Sequence, residues 1–138
     1  MNLPEQVKIV EVSPRDGLQN ESQVIAVEHK VALINGLIKA GVKHIEVAGF
    51  VSPKWVPQLA DAREVCQQLE PVDGVHYSAL PPNLKGLDAA IEVGIKEVAV
   101  FTAASESFNL KNINCSIAES LQRFEPVMAK ASDLGIKV

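Results

Sequence analysis

A short glycine-containing motif recurs along this chain and constrains its fold more than any other feature. Gly-Val-Lys begins at Gly41, Gly-Ile-Lys begins at Gly94 and again at Gly135, and Gly74-Val75-His76 is a looser copy. Glycine accepts the left-handed backbone conformation that closes a helix, and a β-branched residue directly after it favours a strand. Each copy therefore predicts a point at which a helix ends and a strand begins.

Hydrophobic patterns around these points predict a repeated unit of strand, loop and helix. Strands are predicted at residues 7–12, 42–50, 75–80, 97–101 and 136–138. Apolar residues at helical spacing predict helices over about residues 27–40, 59–69, 84–91 and 117–131, and the polar residues 102–114 are assigned to a loop. Ser116 and Glu119 match a capping box at the start of the last helix, and Pro126 predicts a kink or a break within it.

Strands that alternate with helices predict a parallel sheet with right-handed crossovers. Two architectures fit this pattern, an open doubly wound sheet and a (β/α)8 barrel of the TIM type. The first strand-to-helix turn carries Arg15 and Asp16 and has neither a glycine-rich nucleotide loop nor a Walker loop. Loops after the strands are long and loops before them are tight, which favours the barrel. Since such a barrel usually has about 250 residues, residues 1–138 are predicted to be the N-terminal half of a single TIM-barrel catalytic domain, with four βα units and the start of a fifth strand.

Composition excludes several classes of protein. Hydrophobic residues make up 47% and charged residues 22% of the chain, which is typical of a soluble globular domain, and the net charge of -4 gives no attraction to nucleic acid or to anionic membranes. No signal peptide and no apolar run of about 20 residues is present, so a cytoplasmic protein without a membrane partner is predicted. Cys66 and Cys115 lack metal-site spacing and are predicted to be reduced thiols.

The segment with the clearest chemical potential is Ser-Pro-Arg-Asp-Gly-Leu-Gln-Asn at residues 13–20. It follows the first predicted strand, so Arg15 and Asp16 are expected where a strand gives way to a loop. A guanidinium group in that place can neutralise an anionic oxygen, and a neighbouring carboxylate can hold a cation. The alternative is a solvent-exposed ion pair in a turn rich in proline and glycine.

Other polar candidates also follow, or lie within, the predicted strands. Glu46 shares its strand parity with His44 and Ala48, so it is expected either to point into the barrel and pair with Arg15 or to be an outward-facing surface charge. Further reactive candidates are Gln19 after the first strand and Ser105, Glu106 and Asn109 after the fourth. Polar side chains that cluster at the carboxyl ends of strands are typical of the active site of a barrel enzyme.

Four segments of the chain form a recognisable set. They are Val-Lys-Ile-Val-Glu-Val-Ser-Pro-Arg-Asp-Gly-Leu-Gln-Asn-Glu at 7–21, Phe-Val-Ser-Pro-Lys-Trp-Val-Pro at 50–57, Pro-Asn-Leu-Lys-Gly at 82–86 and Lys-Asn-Ile-Asn-Cys-Ser at 111–116. Together these segments resemble the 3-hydroxy-3-methylglutaryl-CoA lyase family. The similarity extends through essentially the whole chain. Arg-Asp-Gly-x-Gln alone also fits related barrels that condense or cleave acyl-CoA substrates, such as isopropylmalate and homocitrate synthases. A non-catalytic half-barrel that serves as a binding or assembly module is the third alternative.

The resemblance implies a lyase that cleaves 3-hydroxy-3-methylglutaryl-CoA to acetyl-CoA and acetoacetate, as in leucine degradation, with a bound Mg²⁺ or Mn²⁺. It implies Asp16 as a metal ligand, Arg15 as a catalytic and substrate-binding residue, Glu46 as a residue that supports the catalytic site, and Gln19 as a substrate-binding residue. Carbon–carbon cleavage beside a thioester leaves an enolate, which requires a positive charge near its oxygen. A carboxylate oxygen suits Mg²⁺ or Mn²⁺, and the Lewis acidity of such an ion eases loss of the hydroxyl proton.

Two departures from the family pattern limit these expectations. The family often has serine or threonine where this chain has Val-Ala-Gly at 47–49, so a hydroxyl contact to substrate is not expected there. The family's metal-binding histidine pair, its metal-ligating asparagine and its catalytic cysteine belong to the second half of the barrel, and Cys115 is not that cysteine. His29, His44 and His76 lack His-x-His spacing and are predicted to be surface or core residues. The chain is therefore expected to be truncated, inactive as a lyase by itself, and prone to homo-oligomerisation through its unpaired strand edges.

Overall fold

A computed structural model describes residues 3–138 as a parallel sheet with helices packed along one of its faces. The strands are β1 (His44–Gly49), β2 (His76–Leu80) and β3 (Glu97–Val98). The helices are α1 (Val27–Lys39), α2 (Ala62–Gln67), α3 (Leu84–Glu92), α4 (Glu106–Ile113) and α5 (Ile117–Asp133), with a π-helical turn at Ser13–Gly17 and a 3₁₀ turn at Pro57–Leu59. Among residues 3–138, no helix has the length and apolar character needed to cross a membrane.

The strands lie side by side in chain order, β1-β2-β3, and both pairs are parallel. An extended segment flanks the sheet on each side. Glu11 forms a parallel bridge with Ile45 of β1, and Lys137 forms one with Glu97 of β3. These five extended segments in sequential order form part of a parallel barrel, which confirms the predicted fold class.

The two outermost predicted strands are present only as single bridges. The backbone N–H of Glu11 donates to the carbonyl of His44 at 2.9 Å, and the N–H of Glu46 donates back to Glu11 at 2.8 Å. On the other side, Lys137 donates to the carbonyl of Lys96 at 3.0 Å. An edge segment has a neighbour on one side only, so fewer ladder hydrogen bonds define it as a strand.

The hydrophobic core lies between the sheet and the helices. Ile45 and Val47 of β1 are 0% and 3% exposed, and they belong to one cluster of buried side chains with Ile34 of α1 and Val127 of α5. Because side chains alternate along a strand, Glu46 projects from the opposite face. This second face carries the polar groups described below.

The glycine motif has the predicted geometry at all four copies. Gly41, Gly74, Gly94 and Gly135 have positive φ angles of 97°, 69°, 85° and 65°. Each glycine follows a helix and precedes an extended segment. The motif therefore sets the spacing of the repeated unit.

Two helix predictions require correction. Helix α5 runs without interruption through Pro126, so the predicted break is wrong; Val127 and Ala131, both 0% exposed, anchor the segment after the proline in the core. Residues 102–114, assigned to a loop, contain the helix α4. That helix has a polar sequence with Asn109 as its only buried residue, so it shows no apolar stripe for a sequence pattern to reveal.

Candidate functional site

Arg15 lies between two carboxylates just after the first extended segment. The turn at Ser13–Gly17 begins with the N–H of Arg15 and of Asp16 both donating to the carbonyl of Val12, at 3.1 and 2.7 Å. The guanidinium Nε donates to Oε1 of Glu46 at 2.5 Å, and Nη1 donates to Oδ1 of Asp16 at 2.7 Å. These two bonds fix the plane of the guanidinium group.

Burial differs sharply among the members of this triad. The side chains of Arg15 and Glu46 are 15% and 6% exposed, whereas the side chain of Asp16 is 58% exposed. Glu46 therefore points into the barrel and pairs with Arg15, and the alternative of an outward-facing surface charge is excluded. Asp16 faces solvent at the open end of the site.

Arg15 and Asp16 each keep polar atoms that are available for binding on the exposed side of the site. Among residues 3–138, Nη2 of Arg15 donates no hydrogen bond and Oδ2 of Asp16 accepts none. The free N–H groups can therefore bind an anionic oxygen, and the free carboxylate oxygen can bind a cation.

Gly49, at the end of β1, provides room for the arginine side chain. A Cβ atom at Gly49 would lie 3.5 Å from Cγ of Arg15 and 3.0 Å from Cδ1 of Leu59. Position 49 thus has no side-chain hydroxyl group to offer a substrate. The aliphatic part of the Arg15 side chain packs closely against the strand there.

Gln19 lies further along the same loop. It is exposed and lines a cavity of about 290 Å³ together with Trp55 and Gln58. Buried Gln58 fixes the loop before α1, because its Oε1 accepts from Ile25 N–H at 2.8 Å and its Nε2 donates to the carbonyl of Gln23 at 2.8 Å. No hydrogen bond joins Gln19 to Arg15 within residues 3–138.

Ser105, Glu106 and Asn109 are engaged in contacts that shape the loop around α4. Ser105 caps the helix by accepting from its backbone, and Glu106 accepts from the N–H of Ile117 at 3.0 Å. Asn109 is 0% exposed, and it donates to the carbonyl of Cys115 at 3.1 Å. Each of the three side chains therefore has a structural partner within this loop and the helices beside it.

A second polar cluster lies at the opposite, amino-terminal end of the strands. His44, His76 and Glu97 begin β1, β2 and β3, and their ligand atoms lie within 4.8 Å of one another, so this group could hold a metal ion. The two imidazole rings are stacked with centroids 4.6 Å apart and planes 9° apart. Each histidine considered alone was predicted to be a surface or core residue, and that interpretation missed the cluster. The signal in the sequence is the glycine motif, because all three residues follow a motif glycine by two or three positions.

Two lysines modify the electrostatics of this cluster. Lys8 and Lys137 donate to the two oxygens of Glu97 at 2.8 and 3.2 Å. Burial alone would raise the pKa of Glu97, but the hydrogen bonds from the lysines outweigh it and lower that pKa. Burial lowers the pKa of His44, and the nearby positive charges lower it further. These effects favour the neutral form of the His44 imidazole over the protonated one.

The divalent cation implied by the family resemblance fits Asp16 in part. Its exposed carboxylate has a free oxygen of the hard type that Mg²⁺ or Mn²⁺ prefers. Within residues 3–138, however, the only group of three or more candidate metal ligands is His44, His76 and Glu97. Asp16 therefore offers one ligand, and further ligands at that end would have to come from water, substrate or other residues.

The fold and the site place this chain in the class of parallel (β/α) barrel proteins. It is an incomplete barrel with an Arg–Asp pair after its first strand and a buried glutamate on the next strand. In that class, the reactive groups lie at the carboxyl ends of the strands. Comparison with known families places the chain more narrowly. It belongs to the HMGL-like family, whose model matches residues 6–138.

Individual relatives agree with this assignment. The chain is 56% identical over 138 residues to a 3-hydroxy-3-isohexenylglutaryl-CoA/hydroxy-methylglutaryl-CoA lyase of Pseudomonas aeruginosa, covering 100% of this chain and 46% of the relative. It is 55% identical over 135 residues to the mitochondrial hydroxymethylglutaryl-CoA lyase of Bos taurus, covering 98% of this chain and 42% of the relative. The chain therefore spans less than half the length of these relatives.

Solved structures show the same relationship. The hydroxymethylglutaryl-CoA lyase of Pseudomonas aeruginosa superposes with a TM-score of 0.91 at 57% identity, covering 99% of this chain and 45% of that one. An HMG-CoA lyase of Acinetobacter baumannii in complex with coenzyme A and 3-methylmalate superposes with a TM-score of 0.83 at 38% identity, covering 88% of this chain and 40% of that one.

Proposed function

We propose that this chain provides the substrate-binding arginine and the first metal ligand of a lyase that cleaves 3-hydroxy-3-methylglutaryl-CoA to acetyl-CoA and acetoacetate. The observation that carries the proposal is the position of Arg15, held at Nε by buried Glu46 with Nη2 free to donate. This geometry occurs in a chain that is 56% identical to a lyase of that name.

The chemistry requires a positive charge where the enolate forms. A base takes the hydroxyl proton, and the resulting alkoxide becomes a carbonyl as the adjacent carbon–carbon bond breaks. The electron pair of that bond moves onto the thioester as an enolate, which takes up a proton to give acetyl-CoA. In this proposal Arg15 donates to that enolate oxygen, and its hydrogen bond to Glu46 keeps the guanidinium group from rotating away. Pre-oriented donors of this kind lower the barrier because they need no reorganisation during the reaction.

Asp16 is assigned the role of a metal ligand, and Gln19 the role of a second substrate-binding group. A divalent cation, when bound, would make the substrate's hydroxyl proton easier to remove. The identity of the ion as Mg²⁺ or Mn²⁺ and a role in leucine degradation remain predictions.

The substrate class is a coenzyme A thioester. A solved relative in complex with coenzyme A and 3-methylmalate supports this choice. The name of the Pseudomonas aeruginosa relative adds a longer 3-substituent, isohexenyl, to the range of substrates to be tested.

Because the relatives are more than twice as long as this chain, the test uses a chimaera. Residues 1–138 are joined to the residues that follow the matched region in the Pseudomonas aeruginosa relative, and release of acetoacetate is measured with Mg²⁺ and with Mn²⁺. The chimaera is expected to be active and residues 1–138 alone inactive. Activity of the isolated chain would overturn the prediction that it needs a second half.

Site substitutions then test the assigned roles in the chimaera. Arg15→Gln is expected to lower kcat by about 10²–10³, the usual effect of removing a donor to a developing oxyanion. Asp16→Asn should raise the metal concentration needed for half-maximal rate. Arg63→Gln and Asp88→Asn are the matched controls, since both residues form exposed surface ion pairs, with Glu92 and Lys130. Equal activity of site and control variants would overturn the assignment.

A cytoplasmic location is also proposed for the chain. Cys66 and Cys115 are both free and buried, which is compatible with the reducing, cytoplasmic compartment that the sequence predicts. Self-association through the strand edges is likewise a proposal.

A further inference from the structure

Three neighbouring strands each begin with a side chain that can ligate a transition metal. His44 begins β1, His76 is paired with it at the start of β2, and Glu97 begins β3. Their ligand atoms lie within 4.8 Å of one another. Arg15 and Asp16 follow the carboxyl end of the first extended segment, so this cluster lies at the opposite end of the sheet.

The donor set differs in chemistry from that of Asp16. Two imidazole nitrogens and one carboxylate oxygen form a set typical of Zn²⁺ sites and of related divalent transition metals. Mg²⁺ instead prefers oxygen ligands in octahedral geometry. The cluster would therefore select a different ion from the one expected at the carboxyl end of the strands.

An unpartnered nitrogen gives independent support. Nδ1 of His44 is the only fully buried side-chain nitrogen or oxygen within residues 3–138 that lacks a hydrogen-bond partner. A buried polar atom without a partner is uncommon and indicates an unoccupied bonding position.

Coordination of an ion requires the ligand atoms to move closer together and at least one imidazole ring to turn. Tetrahedral Zn²⁺ with bonds of about 2.0–2.1 Å holds its ligand atoms closer together than the 4.8 Å limit found here. The stacked rings have nearly parallel planes, so at least one ring must turn to direct its nitrogen at a shared ion. His76 is exposed and can turn without disturbing the core.

The two lysines act as competitors for the carboxylate. Lys8 and Lys137 each donate to one oxygen of Glu97. A metal ion that binds Glu97 must displace at least one of these ammonium groups. Removal of Lys8 should therefore strengthen binding at this site and have no effect on a metal bound elsewhere.

We propose that His44, His76 and Glu97 form a binding site for Zn²⁺ or a similar divalent transition metal, which cross-links three strands at the amino-terminal end of the sheet. The site does not depend on the proposed lyase function. Its position at the end of the barrel that serves stability indicates a structural role.

The test titrates the purified chain of residues 1–138 with Co²⁺, followed by visible absorption, and with Zn²⁺, followed by calorimetry. One equivalent per chain is expected, with the absorption of a low-symmetry Co²⁺ site. His76→Asn should weaken binding by about 100-fold or more, at least as much as the loss of a residue that supports a metal ligand. Lys8→Met should tighten binding several-fold.

Matched variants make the result decisive. His29→Asn replaces the one remaining histidine, which is exposed on α1, and Asp16→Asn removes the candidate ligand at the other end of the strands. Both should leave Co²⁺ and Zn²⁺ binding unchanged. Circular dichroism checks the fold of each variant, and the exposed positions of His76 and Lys8 keep the test independent of the more buried His44. Absence of saturable binding, unchanged binding in His76→Asn, or loss of binding in either control variant would overturn the proposal.

Discussion

At the scale of single residues, Arg15 has two different neighbours. Glu46 is almost fully buried and has Arg15 as its ionic partner, whereas Asp16 remains largely in solvent. A buried ion pair is costly to break because the group left behind keeps an uncompensated charge. Glu46 is therefore expected to matter for folding as well as for the orientation of Arg15.

Replacement of Glu46 tests this double role. Glu46→Ala should lower the free energy of unfolding by about 3 kcal/mol, since it leaves Arg15 without its buried partner. Glu92→Ala, which breaks an exposed pair with Arg63, should cost about 1 kcal/mol or less. Urea unfolding measures both values, and equal losses would contradict the assigned burial of the Arg15–Glu46 pair.

Cys66 gives a second prediction at this scale. Burial raises the pKa of its thiol to about 12. Only the thiolate reacts with alkylating agents, so Cys66 in the folded chain should resist iodoacetamide at pH 8 and react after addition of denaturant. Mass spectrometry of the digested protein locates the modification. Rapid labelling of Cys66 without denaturant would show that the site is more open than described.

At the scale of elements, buried Lys30 ties α1 to the segment before α2. Its Nζ donates to Oδ1 and Oδ2 of Asp61 at 2.7 and 2.8 Å and also to the carbonyl of Gln58. Gln58 in turn holds the loop that precedes α1. The interaction thus connects two successive helices beneath the loop that carries Gln19.

Lys30→Met should lower the free energy of unfolding by about 2 kcal/mol. This loss is smaller than that for breaking a fully buried ion pair, because Asp61 keeps some contact with water. Lys39→Met replaces an exposed lysine in the same helix and is the control. Thermal and urea unfolding are the measurements. A loss no larger than that of the control would mean that the Lys30 contacts contribute little.

The capping box of α5 predicts a dependence on pH. Ser116 accepts from the N–H of Glu119 at 3.1 Å, and Glu119 accepts from the N–H of Ser116 at 2.7 Å. This hydrogen bond lowers the pKa of Glu119 below its usual value. The carboxylate thus stabilises the fold above the unfolded pKa of about 4.3, and this contribution is lost as pH falls through the lower folded value.

Ser116→Ala should cost about 1 kcal/mol at neutral pH, the usual loss for an N-cap. Glu119→Gln should reduce the acid-induced part of the stability loss below about pH 4. Ser132→Ala, at an exposed position near the end of the same helix, is the control. The free energy of unfolding, measured from pH 3 to pH 7, separates the effects of the two substitutions. If Glu119→Gln lost as much stability at acid pH as the unchanged chain, the capping role of Glu119 would be contradicted.

At the scale of the whole molecule, the sheet has an open edge along residues 7–12. Val7 and Ile9 in this segment are each 72% exposed. Glu11 is the residue through which this segment pairs with β1. A strand edge that combines free backbone groups with exposed apolar side chains favours pairing with another chain.

The purified chain of residues 1–138 should therefore form dimers or larger species that increase with concentration, as sedimentation velocity would detect. The double variant Val7→Lys, Ile9→Lys should shift the population toward monomer because charged residues on an edge oppose pairing. Leu121→Lys is the control, since Leu121 is exposed on α5, away from this edge. A monodisperse, folded monomer at all concentrations would contradict the expectation.

Sequence alone determined the repeated unit, the parallel fold and the capping of α5, because local periodicity and the residues that close helices carry this information. The parity of β1 left two positions open for Glu46, because alternation along one strand fixes which side chains share a face but not which face points inward. The tertiary structure decided that Glu46 is buried against Arg15. Tertiary structure decided the contacts that depend on the relative position of separate strands. His44, His76 and Glu97 come together only because three strands, unequally spaced along the chain, pair in one particular register. The structural role of Asn109 depends on how α4 packs against its own loop. Local sequence patterns contain no information on strand register or on helix packing, because both arise only when distant segments bury their apolar faces together.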